Sequence, residues 1–133
     1  MKLSSFLESK FICTDFEANS NIDSINKIVD KLALKEEKVA KLKVNIREAL
    51  EKRELELTTA IGSGVLIPHA RVENFDDVIV AIAIVKTPYD VKTAVLQEDK
   101  IKIIFTIIAG QTKNKIMLKI MAAISKLIQI QGK

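Results

Sequence analysis

Two apolar stretches rich in β-branched residues, Val78 to Val85 and Ile101 to Ala109, limit what this chain can fold into more than any other feature. Val78 to Val85 is apolar at odd and even positions alike, so as a strand it needs cover on both faces and belongs in the middle of a sheet. Ile101 to Ala109 reads as another strand. A shorter run, Val65 to Ile67, and a weaker one, Val91, Ala94 and Leu96, add two further strand candidates, and the polar Gln97 to Lys100 segment reads as a turn.

Helical periodicity supplies the cover. Ser20 followed by Asp23 reads as an N-cap with an acidic N3 residue, and Ile25, Ile28, Val29 and Leu32 then recur at helical spacing, which predicts a helix over 21–34. A second helix is predicted from about Lys35 to Glu54, with Val39, Leu42, Ile46, Ala49 and Leu50 as its buried stripe. At about 100° per residue Arg53 falls in that stripe, so a guanidinium continues an apolar row. A last helix from about Thr112 presents Ile116, Met117, Ile120, Ile124, Leu127 and Ile128 on one side. The order of helices and buried strands predicts an α/β fold, a single domain over 1–133 with a mixed central sheet covered by helices on both faces.

Composition narrows the function classes. At 133 residues, 48% apolar and with only four glycines and two prolines, the chain suits one globular domain, and it shows neither repeats nor low-complexity segments. The apolar runs fall short of the roughly 20 residues of a bilayer-spanning helix, and the opening MKLSSFLESK lacks the apolar centre of a signal peptide, so a cytoplasmic protein without membrane insertion is expected. The single cysteine, Cys13, and the single histidine, His69, allow no intrachain disulfide and no tetrahedral zinc site without carboxylates. No metal and no cofactor are therefore expected, and Cys13 reads as a packing residue. The net charge of +4 comes from lysines scattered among glutamates, and one tyrosine offers little for stacking on bases, so no nucleic-acid partner is expected.

The chemically informative stretch is Thr58 to Arg71, TTAIGSGVLIPHAR. Gly62 and Gly64 permit backbone shapes that side chains forbid, and Pro68 holds its predecessor extended, so a shaped turn leads into His69. Alone this decides nothing. Paired glycines are common in turns, and a single histidine is more often a surface or hydrogen-bonded core residue than a reactive one. Gly62-Ser63-Gly64 is not the nucleophile elbow of a hydrolase, and Val65-Leu66 stand where a phosphate-binding loop needs lysine and a hydroxyl residue.

These residues resemble the enzyme IIA domains of the mannitol/fructose class of the bacterial phosphoenolpyruvate-dependent sugar phosphotransferase system. The likeness rests on the pair Arg53-Glu54, on Thr59, and on Ile61 to Arg71, which follow the family pattern of a glycine-rich I-G-x-G-[IV]-x-[IV]-P-H segment with its spacing kept. It extends from Leu3-Ser4-Ser5 through Thr87-Pro88 to Ala109-Gly110-Gln111-Thr112-Lys113, and it is nearest to the free-standing nitrogen-regulatory type. The resemblance implies that His69 is a phosphoryl acceptor, charged by the small phosphocarrier HPr and discharged to the cysteine of an enzyme IIB. It also implies that Arg53 stabilises the phosphoryl group, with Thr59, Gly62, Gly64 and Pro68 in support. An alternative is a regulatory module in which the phosphorylation state of His69 controls binding to a target protein.

The chain departs from the family in three places. A second histidine, usual at the start of the last long helix, is replaced by Lys115, a point cation that neutralises charge but cannot shuttle a proton at neutral pH. Ala60 and Ala70 stand where glycine is frequent, and small side chains there are expected to be tolerated. The chain ends soon after Ile130, so a final family helix is expected to be missing.

Overall fold

The computed structural model describes residues 2–131, and its first strand, β1 (Leu7–Phe16), follows a 3-10 turn at Leu3–Phe6. Three helices come next, α1 (Asn21–Lys35), α2 (Glu37–Lys41) and α3 (Lys43–Glu56). Three short strands follow, β2 (Ala60–Gly62), β3 (Val65–Leu66) and β4 (His69–Val72), then the long β5 (Val78–Lys92) and β6 (Glu98–Gly110), and last α4 (Asn114–Gln131). The sheet order is β1-β5-β6-β3-β2, with β4 also pairing on β6. Strands β5 and β6 are antiparallel, whereas β1 joins β5, and β3 and β4 join β6, in parallel, so the sheet is mixed. The domain limits expected from the sequence, 1 and 133, lie outside the described residues.

Both faces are covered, as the two apolar runs require. On β5, Ile79, Ala81 and Ala83 join the cluster formed by Ile25 and Val29 of α1, Val39 of α2, and Ile46 and Leu50 of α3. Val80 belongs to a second cluster, with Met117, Ile120 and Ile124 of α4. Strand β6 alternates in the same way, Ile104 and Ile108 toward the first cluster and Phe105 and Ile107 toward the second. Each fully buried isoleucine contributes about 1.5–3 kcal/mol relative to exposure, so the two clusters dominate the stability of the fold.

Helix α1 begins where expected, with the Ser20 hydroxyl accepting from the Asp23 amide at 3.1 Å and the Asp23 carboxylate accepting from the Asn19 amide at 3.1 Å. The single helix expected over 35–54 is instead broken at Leu42, whose φ of −118° and ψ of 25° leave the helical region. Neither glycine nor proline marks the break. The break lets Val39 on α2 and Ile46 and Leu50 on α3 all reach one cluster. The strand candidate at Val91, Ala94 and Leu96 is not a separate strand. Val91 lies in β5, and residues 93–97 form a tight connection held by the Leu96 amide on the Thr93 carbonyl at 2.8 Å and the Thr93 amide on the Gln97 carbonyl at 2.9 Å. Val95 and Leu96 are exposed there, and the expected turn at Gln97 to Lys100 is already mostly β6.

Two irregularities position the rest. Between paired residues β5 advances from Ile84 to Tyr89 while β6 moves only from Ile103 to Ile101, so Thr87 and Pro88 sit in a bulge that carries Tyr89 into the first core cluster. At the end of β6, Gly110 has no room for a side chain, because a Cβ there would stand 2.0 Å from the Phe75 carbonyl oxygen. The Gly110 amide donates to the Asp77 carbonyl at 3.0 Å, which ties the approach to α4 to the segment between β4 and β5.

Candidate functional site

The last turns of α3 present two charged neighbours with opposite roles. The fully buried row on this helix, Ile46 and Leu50, ends in Glu54, not in the Arg53 expected to continue it. Arg53 lies half-buried beside that row, and its Nη1 donates to the Leu57 carbonyl at 2.7 Å, satisfying a carbonyl just past the helix end. Glu54 is buried because its carboxylate is surrounded by donors: the Thr59 amide at 2.9 Å, the Thr59 hydroxyl at 2.5 Å and the Asn21 side-chain amide at 3.2 Å. The first two bonds clamp the chain leaving α3.

From Thr59 the backbone leads directly to His69. The Thr59 carbonyl accepts from the Ile67 amide at 3.1 Å, and the Ile67 carbonyl faces His69 Nδ1 at 2.8 Å. A carbonyl can only accept, so Nδ1 carries the proton and Nε2 carries the lone pair of the neutral ring. Pro68 lacks an amide hydrogen, yet its carbonyl accepts from the Ile107 amide at 2.9 Å and fixes the start of β4 on β6. The Gly62-Ser63-Gly64 turn before it runs through three positive φ angles, 95°, 56° and 78°. Gly64 is held by its amide on Asp99 at 3.0 Å and by its carbonyl, which accepts from Lys102 at 2.7 Å.

His69 lies half-buried on an open cleft of about 610 Å³. Arg53 and Lys52 of α3, Arg71 and Glu73 near β4, and Asn114 and Met117 of α4 share its lining. The structure thus brings His69 and Arg53 into one cavity and places Thr59, Gly62, Gly64 and Pro68 behind it in the supporting loop. Lys115, which stands where the resemblance places a second histidine, is exposed and does not line the cleft; Asn114, its predecessor, does. Arg71 and Gln111, which belong to the motif segments without having been given a role, also line the cleft, and Asn114 does so with no periodic or motif signal to mark it. Among the described residues no cluster of three or more His, Cys, Asp or Glu side chains could hold a metal ion, and no helix is long and apolar enough to cross a membrane.

Burial holds the His69 pKa below its ordinary value, and the Arg53 charge pushes in the same direction. The bond to the Ile67 carbonyl and the charge of Glu54 oppose this without cancelling it. The ring is therefore mostly neutral at pH 7, with a lone pair available for attack on an electrophile. Tyr89, the buried phenol from the β5 bulge, is pushed up to about 12, chiefly by burial, and stays protonated. A neutral imidazole, a planar cation and an open approach suit the transfer of an anionic group.

Comparison with known proteins agrees with this chemistry. The family described as "Phosphoenolpyruvate-dependent sugar phosphotransferase system, EIIA 2" matches residues 5–132. No curated protein sequence matches significantly. Among solved structures, the chain is similar to nitrogen regulatory protein IIA-Ntr of Neisseria meningitidis, with 20% identity, 90% of this chain and 79% of that chain covered, and a TM-score of 0.73. It is also similar to the mannitol IIA of Escherichia coli, with 14% identity, 96% and 84% covered, and a TM-score of 0.66. The Escherichia coli enzyme IIA for mannitol in complex with phosphorylated enzyme IIB matches at 13% identity over 85% and 76%, with a TM-score of 0.60. At these identities the structural likeness establishes the fold.

Proposed function

Because this chain belongs to the EIIA 2 family of the phosphoenolpyruvate-dependent sugar phosphotransferase system, we propose that it is a cytoplasmic phosphocarrier with His69 as its acceptor. The observation that carries this reading is the bond from Nδ1–H to the Ile67 carbonyl, which leaves Nε2 as the nucleophile in the cleft that Arg53 also lines. As Nε2 attacks phosphorus, the N–P bond forms while the bond from phosphorus to the donor breaks. Nδ1 keeps its proton, and the positive charge that develops on the ring is shared with the Ile67 carbonyl.

Arg53 is the electrostatic partner in this reading. One of its five N–H donors is committed to Leu57, and the others remain for the oxygens of the phosphoryl group. Phosphoryl transfer depends mainly on in-line positioning and on neutralising those oxygens, which an open cleft with a fixed ring and a guanidinium provides. In this reading HPr is the donor and the cysteine of an enzyme IIB the acceptor; the complex of a similar fold with phosphorylated enzyme IIB supports an enzyme IIB as partner. Asn114, and not Lys115, is the residue at the start of the last helix that would meet the incoming group.

The test is incubation with phosphoenolpyruvate, enzyme I and HPr, followed by intact-mass measurement. An acid-labile gain of one phosphoryl group in the wild type, absent from His69→Ala, is the expected result. No gain in the wild type would defeat the proposal. Onward transfer to an enzyme IIB in the same reaction supports transport, whereas a stable phosphoprotein that changes its binding to a target protein supports the regulatory alternative.

A further inference from the structure

We infer that Tyr89 and Asn21, far from His69 in sequence and outside its cleft, are positioning residues that orient the imidazole through a series of hydrogen bonds joined by the backbone of Thr59 and Ile67; for function this rests on the acceptor role of His69. The relay starts in the β5 bulge. The Tyr89 hydroxyl donates to Asn21 Oδ1 at 3.0 Å, and Asn21 Nδ2 donates to Glu54 Oε2 at 3.2 Å. Glu54 takes the Thr59 amide at 2.9 Å, the Thr59 carbonyl takes the Ile67 amide at 3.1 Å, and the Ile67 carbonyl takes His69 Nδ1 at 2.8 Å.

The direction of each link follows from chemistry. An ionised carboxylate only accepts, so Glu54 must face the amide nitrogen of Asn21, and the carbonyl oxygen of Asn21 must then face Tyr89. With its proton given to Asn21, Tyr89 can serve Ser24 only as an acceptor, and the Ser24 hydroxyl at 2.9 Å is the donor. Asn21 Nδ2 also reaches the Thr58 hydroxyl at 3.3 Å, which adds a second hold on the same stretch of chain. Tyr89, Ser24, Glu54 and Thr59 are buried and Asn21 between them is half-buried, so water is kept from most of these partners and each depends on the next.

The consequence concerns the tautomer and orientation of one ring. Removing the Tyr89 hydroxyl leaves Asn21 held through Nδ2 alone, which loosens its grip on Glu54 and lets the Thr59–Ile67 segment shift under His69. The His69 proton is then no longer confined to Nδ1, and the lone pair is no longer always on Nε2.

Because His69 is the only histidine, nitrogen-15 NMR of the ring reads its tautomer without interference. The wild type is expected to show a protonated Nδ1 and an unprotonated Nε2. In Tyr89→Phe and Asn21→Ala the tautomer ratio is expected to fall by roughly fivefold, as the loss of one hydrogen-bond link implies, with a similar drop in the phosphorylation rate by HPr. Ile124→Val, a core change away from the relay, should lower the melting temperature and leave the tautomer intact. If Tyr89→Phe and Asn21→Ala melt earlier but keep the wild-type ring signals, the inference is overturned and both residues are merely structural. Should the wild type accept no phosphate while the tautomer still responds to Tyr89→Phe, the relay stands and the carrier reading falls. If Tyr89→Phe does not fold, Asn21→Ala decides alone.

Discussion

His69 Nδ1 lies 2.8 Å from the carbonyl of Ile67, two residues earlier in the chain, and this bond decides which nitrogen of the ring can react. It joins the histidine to the backbone of its own loop, so the reactive geometry is a property of residues 59–69 and not of His69 alone.

Replacing Arg53 by alanine should slow phosphoryl acceptance by about 10²–10³, the usual cost of removing one donor to a developing charge. Arg53→Lys should recover only part of this, because an ammonium lacks the planar fork. Half-exposed and, among the described residues, bonded to the Leu57 carbonyl alone, Arg53 should contribute less than about 1 kcal/mol to stability. Rapid-quench kinetics beside urea unfolding separates the two effects. Unchanged rates with a lower melting temperature would make Arg53 structural.

Glu54→Gln should destabilise the fold by about 1–3 kcal/mol, since one amide cannot accept from both Thr59 donors and Asn21 together. It should also move the His69 pKa further down, because the Glu54 charge is one of the influences that raise it. An NMR titration of the ring checks the direction, and an upward shift contradicts the account.

The pH dependence has a definite sign. His69 titrates below its ordinary value of 6.5 in the folded chain, so between that value and the lower folded pKa the unfolded chain binds the extra proton. The contribution of His69 to stability is therefore complete above about 6.5 and is lost as pH falls through the folded pKa. Phosphoryl acceptance should decline over the same interval as the lone pair is protonated. Stability of His69→Gln should be flatter than that of the wild type across this window, and a midpoint of acceptance above 6.5 would contradict the reading.

Gly110→Ala should cost more than about 3 kcal/mol or prevent folding, because its methyl group would overlap the Phe75 carbonyl oxygen. Chemical denaturation or soluble yield measures this. An alanine variant as stable as the wild type would show that the segment between β4 and β5 yields easily.

Much of the fold was legible because burial on two faces writes itself into composition. Val78 to Val85 had to be central, and Ile120 and Ile124 had to face a core. What stayed hidden depends on irregularity. Strand β1 buries only Phe11 and Phe16 along its length and pairs with shifted register, so no alternation announces it. The helix break at Leu42 has no local signal, since packing decides it. At the site, the Thr58 to Arg71 pattern singled out His69 and the loop behind it, whereas Asn114 reaches the cleft only through the way α4 follows Gly110. Helical spacing pointed to Arg53 but could not separate it from Glu54, because neighbours on a helix differ by only about 100° and three donors made burial of the carboxylate possible.

The bulge between Ile84 and Tyr89 gives the surplus residues of one strand an effect twenty positions upstream. Insertions or deletions at Lys86 to Pro88 would be read as harmless variation in a sheet margin, yet each would rotate the phenol away from α1. Grafting the loop from Thr59 to Arg71 onto another scaffold would therefore carry the histidine across without the contacts from α1 and β5 inferred to orient it.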